Sequence, residues 1–313
     1  MNKRISTEAV SIGFIGQGWV GRHIADDFVS RGFQVVRYSR EAPYNSQENK
    51  KKISECEVVF VAVPTPTTKK GFSDKIVREV LSIVGKGKIA VIKSSILPGM
   101  TDAIQKDFPD ICIFHAPEFL TEANAAHDAA HPSRNIIGIP DIADLDKKKI
   151  YKKKADFLSS LMPKSPRSFI MSAKEAELVK YLSNCFLALK VIYSNIGFDL
   201  AEALSCDYSI IAEALGADER IGGAHLKVKS GNGRGAGGHC FIKDLAAFCA
   251  LLEKTLGKSY ATDFFRAAEN KNIELLATTG KDSELLKGVY GEKKIEKICK
   301  KNFRLVYTYG KST

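Results

Sequence analysis

The sequence predicts an α/β protein: a doubly wound, mostly parallel sheet in the N-terminal half, then a long central helix and an all-helical region. Three observations carry this. Short apolar runs rich in β-branched residues alternate with helical patterns as far as residue 140, a glycine-rich turn joins the first run to the first helical pattern, and helical spacing alone follows residue 169.

The elements follow in chain order. "AVSIGFIG" (9–16) is a buried-strand run, "GWVGRHIADDFVSRG" (18–32) has helical spacing, and "QVVRYS" (34–39) is strand-like, which makes a βαβ start. "CEVVFVAVP" (56–64), "KIAVIKSS" (88–95), "ICIFHAP" (111–117) and "NIIGIP" (135–140) continue the series, with helical patterns between most of them. Continuous apolar runs of this kind belong to strands covered on both faces. "LMPKSPRSF" (161–169) reads as a proline-containing connector after which strands stop, and "SAKEAELVKYLSNCFLALKVIYSNIGFDLAEAL" (172–204) as a long central helix. Lys180 and Asn184 stand four apart there and project from one face. Helix resumes after Cys240 in "DLAAFCALLEKTLG" and again in "YATDFFRAAENKNIELLAT". The expected division is 1–168, a dinucleotide-binding domain; 169–275, central helix and helical domain; and 276–313, a basic tail.

Composition narrows the classes. With 44% hydrophobic and 27% charged residues over 313 positions, the chain is an ordinary globular protein rather than a disordered one. The N-terminal apolar stretch is short and interrupted by glycines, so neither a signal peptide nor a membrane span is expected. Seven scattered cysteines without CxxC or zinc-finger spacing fit a reduced, cytoplasmic protein and give no metal signature. The net charge of +11 gathers in "DKKKIYKKK" (146–154) and "GEKKIEKICKKNFR" (291–304) without interleaved aromatics, which argues against nucleic acid and for solvated helix faces or an anionic substrate.

"GQGWVG" sets Gly16, Gly18 and Gly21 as G-x-G-x-x-G after a strand and at the head of a helix, where the turn is tight and the helix N-terminus attracts a pyrophosphate. NAD sites commonly end the second strand with a carboxylate that holds the ribose hydroxyls. Ser39 and Arg40 stand there instead. Arg40 with Arg37 could bind a 2'-phosphate, which leaves NADP open beside NAD; alternatively Arg40 is simply exposed.

"GFIGQGWVG", "VAVPTPT" (61–67), "KSSILPGM" (93–100), "APEFLTEA" (116–123), "AELVKYLSNCFLALK" (176–190), "DERIGG" (218–223) and "GAGGHCFIKD" (235–244) occur in this order. Together, over residues 9–275, they resemble the UDP-glucose/GDP-mannose 6-dehydrogenase family. The resemblance implies a Rossmann-type N-terminal domain, a helical dimerisation domain, and NAD-dependent oxidation of the C6 alcohol of a sugar nucleotide to a carboxylate. Products of this kind usually serve surface polysaccharides.

Residue by residue, the resemblance makes Cys240 the nucleophile, with Lys180, Asn184, Asp244, Glu118 and Ser95 as its catalytic companions. It places Gly16, Gly18, Trp19, Val20, Gly21, Ser39, Arg40, Val63, Pro64, Thr65, Ser95 and Lys243 around the cofactor. Phe119, Leu120, Lys180, Asn184, Arg220, Lys227 and Gly237 fall to the substrate. Chemistry gives these residues sense, because two hydride removals from one carbon require the intermediate aldehyde to be made oxidisable again. A thiolate does this through a thiohemiacetal and then a thioester. Lys180 and Asn184 would stabilise the oxyanion, Asp244 would orient water, and Glu118 would act in thioester hydrolysis. His239 and Lys243 are cationic neighbours that would favour the thiolate. Cys185, Cys206 and Cys249 read as inert packing.

The family also carries a third domain, of which "NFRLVYTYGKST" (302–313) resembles only the first strand, so a short member lacking that domain is expected. Two other readings stay open: a two-electron β-hydroxyacid dehydrogenase, which uses Lys and Asn on the central helix without a cysteine, and a non-catalytic dinucleotide-fold protein that binds an anionic partner through its tail.

Overall fold

The computed structural model describes residues 10–229 and 233–309, with side chains to residue 300. It divides into two compact units, one made of residues to Thr65 with Ser73–Lys180, the other of Pro66–Phe72 with the residues from Tyr181 onward.

The first unit is the sheet unit. Its elements are β1 (Ile12–Ile15), α1 (Trp19–Ser30), β2 (Val35–Tyr38), α2 (Gln47–Glu55) and β3 (Val58–Val61). After a hairpin of β4 (Thr67–Thr68) and β5 (Gly71–Phe72), which belongs to the second unit, come α3 (Lys75–Leu81), β6 (Ile89–Ile92), α4 (Met100–Asp107) and β7 (Cys112–His115). α5 (Ala125–Ala130), β8 (Asn135–Ile139), α6 (Leu145–Leu161), β9 (Ser168–Ser172) and the first turns of α7 (Ala173–Ala203) complete it. The seven strands run in the order β2-β1-β3-β6-β7-β8-β9, parallel except where β8 meets β7. Every residue of β1, β3 and β6 is buried, as expected of strands roofed on both faces. Phe14 stacks on Phe60 with ring centroids 4.9 Å apart, and Phe28 of α1 closes on both.

β9 is a correction to the sequence reading, which ends the strands before it. "SFIMS" pairs in parallel with β8 from Asn135↔Ser168 to Ile139↔Ser172. Its side chains are almost all exposed, so the strand is set by backbone pairing at a sheet edge and leaves no burial pattern to read.

α7 is docked on the sheet unit through small and acidic residues. A Cβ on Gly138 would stand 2.7 Å from the Cα of Ala173 and 2.9 Å from the Cβ of Ala176, so glycine there lets the helix approach. One turn on, the fully buried Glu177 accepts hydrogen bonds from the Gly99 amide (2.5 Å), the Thr101 amide (2.7 Å) and the Thr101 hydroxyl (2.6 Å). α4 begins at a left-handed Gly99 with no side-chain cap of its own, and a carboxylate 76 to 78 residues away satisfies its orphan amides.

The second unit contains the β4–β5 hairpin, the rest of α7, α8 (Tyr208–Gly216), α9 (Gly238–Leu256), α10 (Tyr260–Thr279), α11 (Ser283–Tyr290) and α12 (Glu292–Tyr309). Its core joins Ile242 of α9, Ile273 and Leu276 of α10, and Leu286, Val289 and Tyr290 of α11, with Ile295 and Ile298 of α12 packed against them. The segment after residue 275 is therefore no loose basic tail. Lys293, Lys297 and Lys300 lie on the exposed side, and the apolar residues between them turn inward. Buried Glu269 adds an anchor, pairing with Arg266 (2.8 Å) and with Lys294 of α12 (3.2 Å). The strand-like stretch from residue 302 is helical through Tyr309, and residues 310–313 lie outside the described residues. Among the described residues no helix is long and apolar enough to cross a membrane.

Burial pushes the Glu177 carboxyl up to about 7 against the pull of its three hydrogen bonds. A carboxyl that holds its proton more tightly folded than unfolded contributes stability that is fully present below its unfolded value of 4.5 and is lost as pH rises towards about 7. Chemical denaturation across this window should show a fall of up to about 3 kcal/mol from this group in the sheet unit. Glu177→Gln should flatten that slope, and an unchanged slope would refute the assignment.

Candidate active site

The glycine-rich turn divides its three glycines by task. Gly16 is left-handed (φ +92°), and a Cβ on it would meet the Ala62 carbonyl at 2.2 Å. A Cβ on Gly21 would meet the Gly16 carbonyl at 1.9 Å, which seats α1 on the strand. Gly18 has nothing within 4 Å of its Cβ position, and it caps α1 with no side-chain hydrogen bond and no acidic residue in the first turn. The open glycine and uncapped helix start therefore fit an anion approached by backbone amides, and the turn suits a dinucleotide pyrophosphate. Trp19 beside it is half exposed and packs on His23 at 4.6 Å.

Loops at the ends of β3 and β6 are stitched together next to this turn. The Val63 amide donates to Ser94 Oγ (3.0 Å), which donates to the Val63 carbonyl (2.7 Å), and Thr65 Oγ1 donates to the Ser95 carbonyl (2.7 Å). Ser94 was not singled out by the sequence, because a serine beside a strand end has no signature of its own. At the end of β2, Ser39 Oγ donates to the Glu41 carbonyl (2.7 Å). The nearby arginines have protein partners: Arg37 pairs with Asp26 (2.7 Å), and the exposed Arg40 with the exposed Glu79 (2.6 Å).

The sheet unit buries an ion pair. Lys180 Nζ donates to the Glu118 carbonyl (2.6 Å) and to its Oε1 (2.9 Å), both side chains being less than a tenth exposed. The Leu120 amide donates to Oε2 at 2.8 Å. Burial works to raise the Glu118 carboxyl, but the charge and hydrogen bond of Lys180, with the Leu120 amide and the charge of Lys93, together hold the group below the ordinary carboxylate value. The Phe119 ring lies between two cations, with the Arg134 guanidinium 3.8 Å and the Lys180 ammonium 5.3 Å from its centroid. Lys93 and His115, buried at the ends of β6 and β7, were not singled out from sequence.

In the helical unit Cys240 is exposed on the first turn of α9, so the helix starts two residues before the thiol rather than after it. The positive end of a helix favours an anion at this position. Asp244, one turn on, is buried; Asn184 Nδ2 donates to its Oδ2 (2.6 Å) and Lys243 Nζ pairs with its Oδ1 (2.5 Å). Lys243 is thus committed to Asp244, while His239 is exposed. Burial pushes the thiol of Cys249 up to about 12 and that of Cys185 higher still, as inert packing requires. Cys206 departs from the packing expectation: it is exposed between α7 and α8.

The glycines before Cys240 serve internal packing. A Cβ on Gly237 would stand 2.1 Å from Asp282 Oδ2, the atom that accepts the Gly238 amide at 2.7 Å. Left-handed Gly235 lies against Asn272, whose side chain takes the Ala236 amide (2.7 Å) and donates to the Ala236 carbonyl (2.9 Å). The close approach that suggested a ligand is met by side chains 36 and 44 residues downstream. Arg220 is exposed and paired with Asp218 (2.6 Å), and Lys227 is exposed. Among the described residues no group of three or more His, Cys, Asp or Glu could hold a metal ion.

Comparison with known proteins shows what the chain is similar to. Residues 39–154 match the NAD binding domain of the UDP-glucose/GDP-mannose dehydrogenase family, and residues 174–274 match its central domain. A UDP-glucose 6-dehydrogenase of Rickettsia bellii is 30% identical over 239 residues, covering 73% of this chain and 51% of its own. The chain spans about half the length of the curated relatives it matches. The structure of a UDP-glucose dehydrogenase from Pyrobaculum islandicum superposes with a TM-score of 0.74 at 26% identity, over 91% of this chain and 73% of that one. A 3-hydroxyisobutyrate dehydrogenase of Mycobacterium tuberculosis shares the fold at 16% identity, with a TM-score of 0.63 over 88% of this chain and 98% of that one.

The different surroundings of Gly18 and Gly21 give a paired test. Gly18→Ala should leave the melting temperature within about 2 °C of wild type and weaken dinucleotide binding at least tenfold in a titration, because its Cβ enters only the open side of the turn. Gly21→Ala should lower the melting temperature markedly, since its Cβ collides with backbone. Equal melting temperatures for the two variants would refute the division.

Proposed function

The chain belongs to the UDP-glucose/GDP-mannose dehydrogenase family, and from that premise we propose that it oxidises the C6 alcohol of a UDP-glucose-like sugar nucleotide to the carboxylate in two steps. The observation that carries the reading is the pairing of α7 with reactive groups: Lys180 on Glu118, and one turn later Asn184 on Asp244, itself one turn beyond Cys240.

NAD would be held by the Gly16–Gly18–Gly21 turn, Trp19, Val20, the 63–65 loop and Ser95, with Lys243 at the nicotinamide end. When bound it supplies the hydride acceptor, twice for each molecule of acid formed. Lys180 and Asn184, projecting from one helix face, donate to the substrate oxygen as it gains negative charge, where fixed donors are most effective. Cys240 adds as the thiolate to the aldehyde carbon, and the oxygen takes up a proton to complete the thiohemiacetal. The second oxidation leaves a thioester on Cys240. Water oriented by Asp244 and deprotonated by Glu118 attacks that carbonyl, and the thiolate departs. One water is consumed and its oxygen remains in the acid. Phe119 and Leu120 would contact the sugar, and Arg220 and Lys227 the diphosphate, whose charge exposed cations suit.

The same reading includes a homodimer. Leu182, Phe186, Tyr193, Ile196 and Leu200 of α7, with Leu204 just past its end and Ile210 of α8, are all exposed large apolar residues, a stripe longer than isolated surface residues would form. A second copy of the same face is the occupant we assign to it. A reducing, cytoplasmic setting accords with the thiol chemistry, and none of the seven cysteines is in a disulfide.

With NAD and a panel of sugar nucleotides, two NADH should form per acid detected by mass spectrometry. One NADH per substrate, with no acid, would point instead to a two-electron dehydrogenase. Cys240→Ala should abolish acid formation, and Lys180→Ala should lower kcat by about 100- to 1,000-fold while leaving dinucleotide affinity unchanged. Light scattering provides the separate test of the partner: a dimer mass should fall to that of a monomer in Phe186→Glu/Leu200→Glu, and a wild-type monomer would remove the homodimer from the reading.

A further inference from the structure

The end of β2 stands directly beside the glycine-rich turn. The Gly16 amide donates to the Tyr38 carbonyl at 2.8 Å, and Arg37 Nη1 donates to Gln17 Oε1 at 3.4 Å. A dinucleotide whose pyrophosphate lies on that turn brings its adenosine ribose to β2, and the groups there decide whether a 2'-hydroxyl or a 2'-phosphate is accepted. NAD sites commonly place a carboxylate at this point, which Ser39 and Arg40 occupy here. The Ser39 hydroxyl is turned back into its own loop, donating to the Glu41 carbonyl (2.7 Å) and accepting the Glu41 amide (3.2 Å).

Two arginines at this end would suit a 2'-phosphate, and each already faces a carboxylate from a neighbouring helix. Arg37, whose side chain is 14% exposed, meets Asp26 of α1 at 2.7 Å, and its bond to Gln17 commits it to the turn. Arg40 meets Glu79 of α3, 39 residues on, at 2.6 Å, and more than half of both side chains is exposed. Arg78, one residue before Glu79, is itself held by Asp74 (2.5 Å) and Asp107. An exposed pair such as Arg40–Glu79 adds little to stability. Its consequence is electrostatic: Arg37 and Arg40 offer no surplus positive charge, and a phosphate arriving at Arg40 must displace Glu79 and then remain beside it. Tight phosphate recognition uses guanidinium groups free to make charge-assisted bonds to the phosphate.

We propose that Glu79 is a specificity-determining residue: reaching from α3 to Arg40, it takes the part of the carboxylate missing from β2 and makes the site select NAD against NADP. Asp26 does the same to Arg37, but that pair also supports the turn, so Glu79 is the residue whose charge can be removed without disturbing the pyrophosphate site. The selectivity concerns the dinucleotide alone and holds whichever sugar nucleotide is oxidised.

The test is calorimetric titration of NAD and of NADP into the full chain at low ionic strength, with no turnover required. The wild type should bind NAD more tightly than NADP. Glu79→Gln should strengthen NADP binding by about fivefold or more and leave NAD within about twofold, because Arg40 then pairs with the 2'-phosphate alone. Arg40→Gln should change NADP binding little in the wild type, yet cancel the gain in Glu79→Gln/Arg40→Gln, since the gain runs through that one guanidinium. Raising salt to about 0.5 M should shrink the gain, as it does for contacts between exposed charges; a loop rearranged by the substitution would not respond in this way. Unchanged NADP affinity in Glu79→Gln overturns the proposal, as does an equal gain for both dinucleotides or a gain that survives the loss of Arg40. A wild type that binds NADP as tightly as NAD overturns it too.

Discussion

The Lys180–Glu118 pair of the sheet unit depends on the buried carboxylate of Glu177, which ties the first turns of α7 to the start of α4. A helix of 31 residues could slide or rotate on a sheet if only apolar contacts held it, because those contacts are non-directional. Three short hydrogen bonds to two residues of one helix start permit a single register. The tight seat of Ala173 and Ala176 over Gly138 removes the remaining freedom of approach. Lys180 lies three residues beyond Glu177, close to one turn, so the register that places one carboxylate in its cap also places one ammonium on Glu118.

Charge burial is the second constraint. The sheet unit and the helical unit each bury a carboxylate, and each neutralises it with a lysine while a further donor occupies the other oxygen: Lys180 and the Leu120 amide on Glu118, Lys243 and Asn184 on Asp244. Paired in this way, a buried carboxylate avoids the large desolvation penalty of an isolated one. α7 contributes one partner to each pair from positions four apart.

The glycines of the two glycine-rich runs illustrate how one residue type serves opposite ends. Gly18 leaves space that a ligand can use; Gly235 and Gly237 leave space that Asn272 and Asp282 already fill. The consequence is that Cys240 sits at the start of a helix whose lead-in is clamped from α10 and α11, so an exposed thiol is carried on a rigid mount. Such support suits the nucleophile role proposed for Cys240, because a fixed thiol meets a bound carbon in one geometry.

By itself the sequence determined what depends on neighbouring residues: the all-buried strands, the glycine turn with its helix, the length of α7, and the positions of Lys180, Asn184, Cys240 and Asp244 within ordered motifs. Periodicity and steric demand are local, and "IGFI" or "GQGWVG" carries them wherever it is placed. Tertiary structure alone decided what depends on partners far along the chain. β9 exists because β8 offers it a backbone edge, the charged run after residue 290 is a core-packed helix because Ile295 and Ile298 find Leu286 and Val289, and Glu177 caps a helix that ends 70 residues before it. Lys93 and His115 were invisible for the same reason: a lysine and a histidine at strand ends are unremarkable until the sheet sets those ends side by side and removes the water between them.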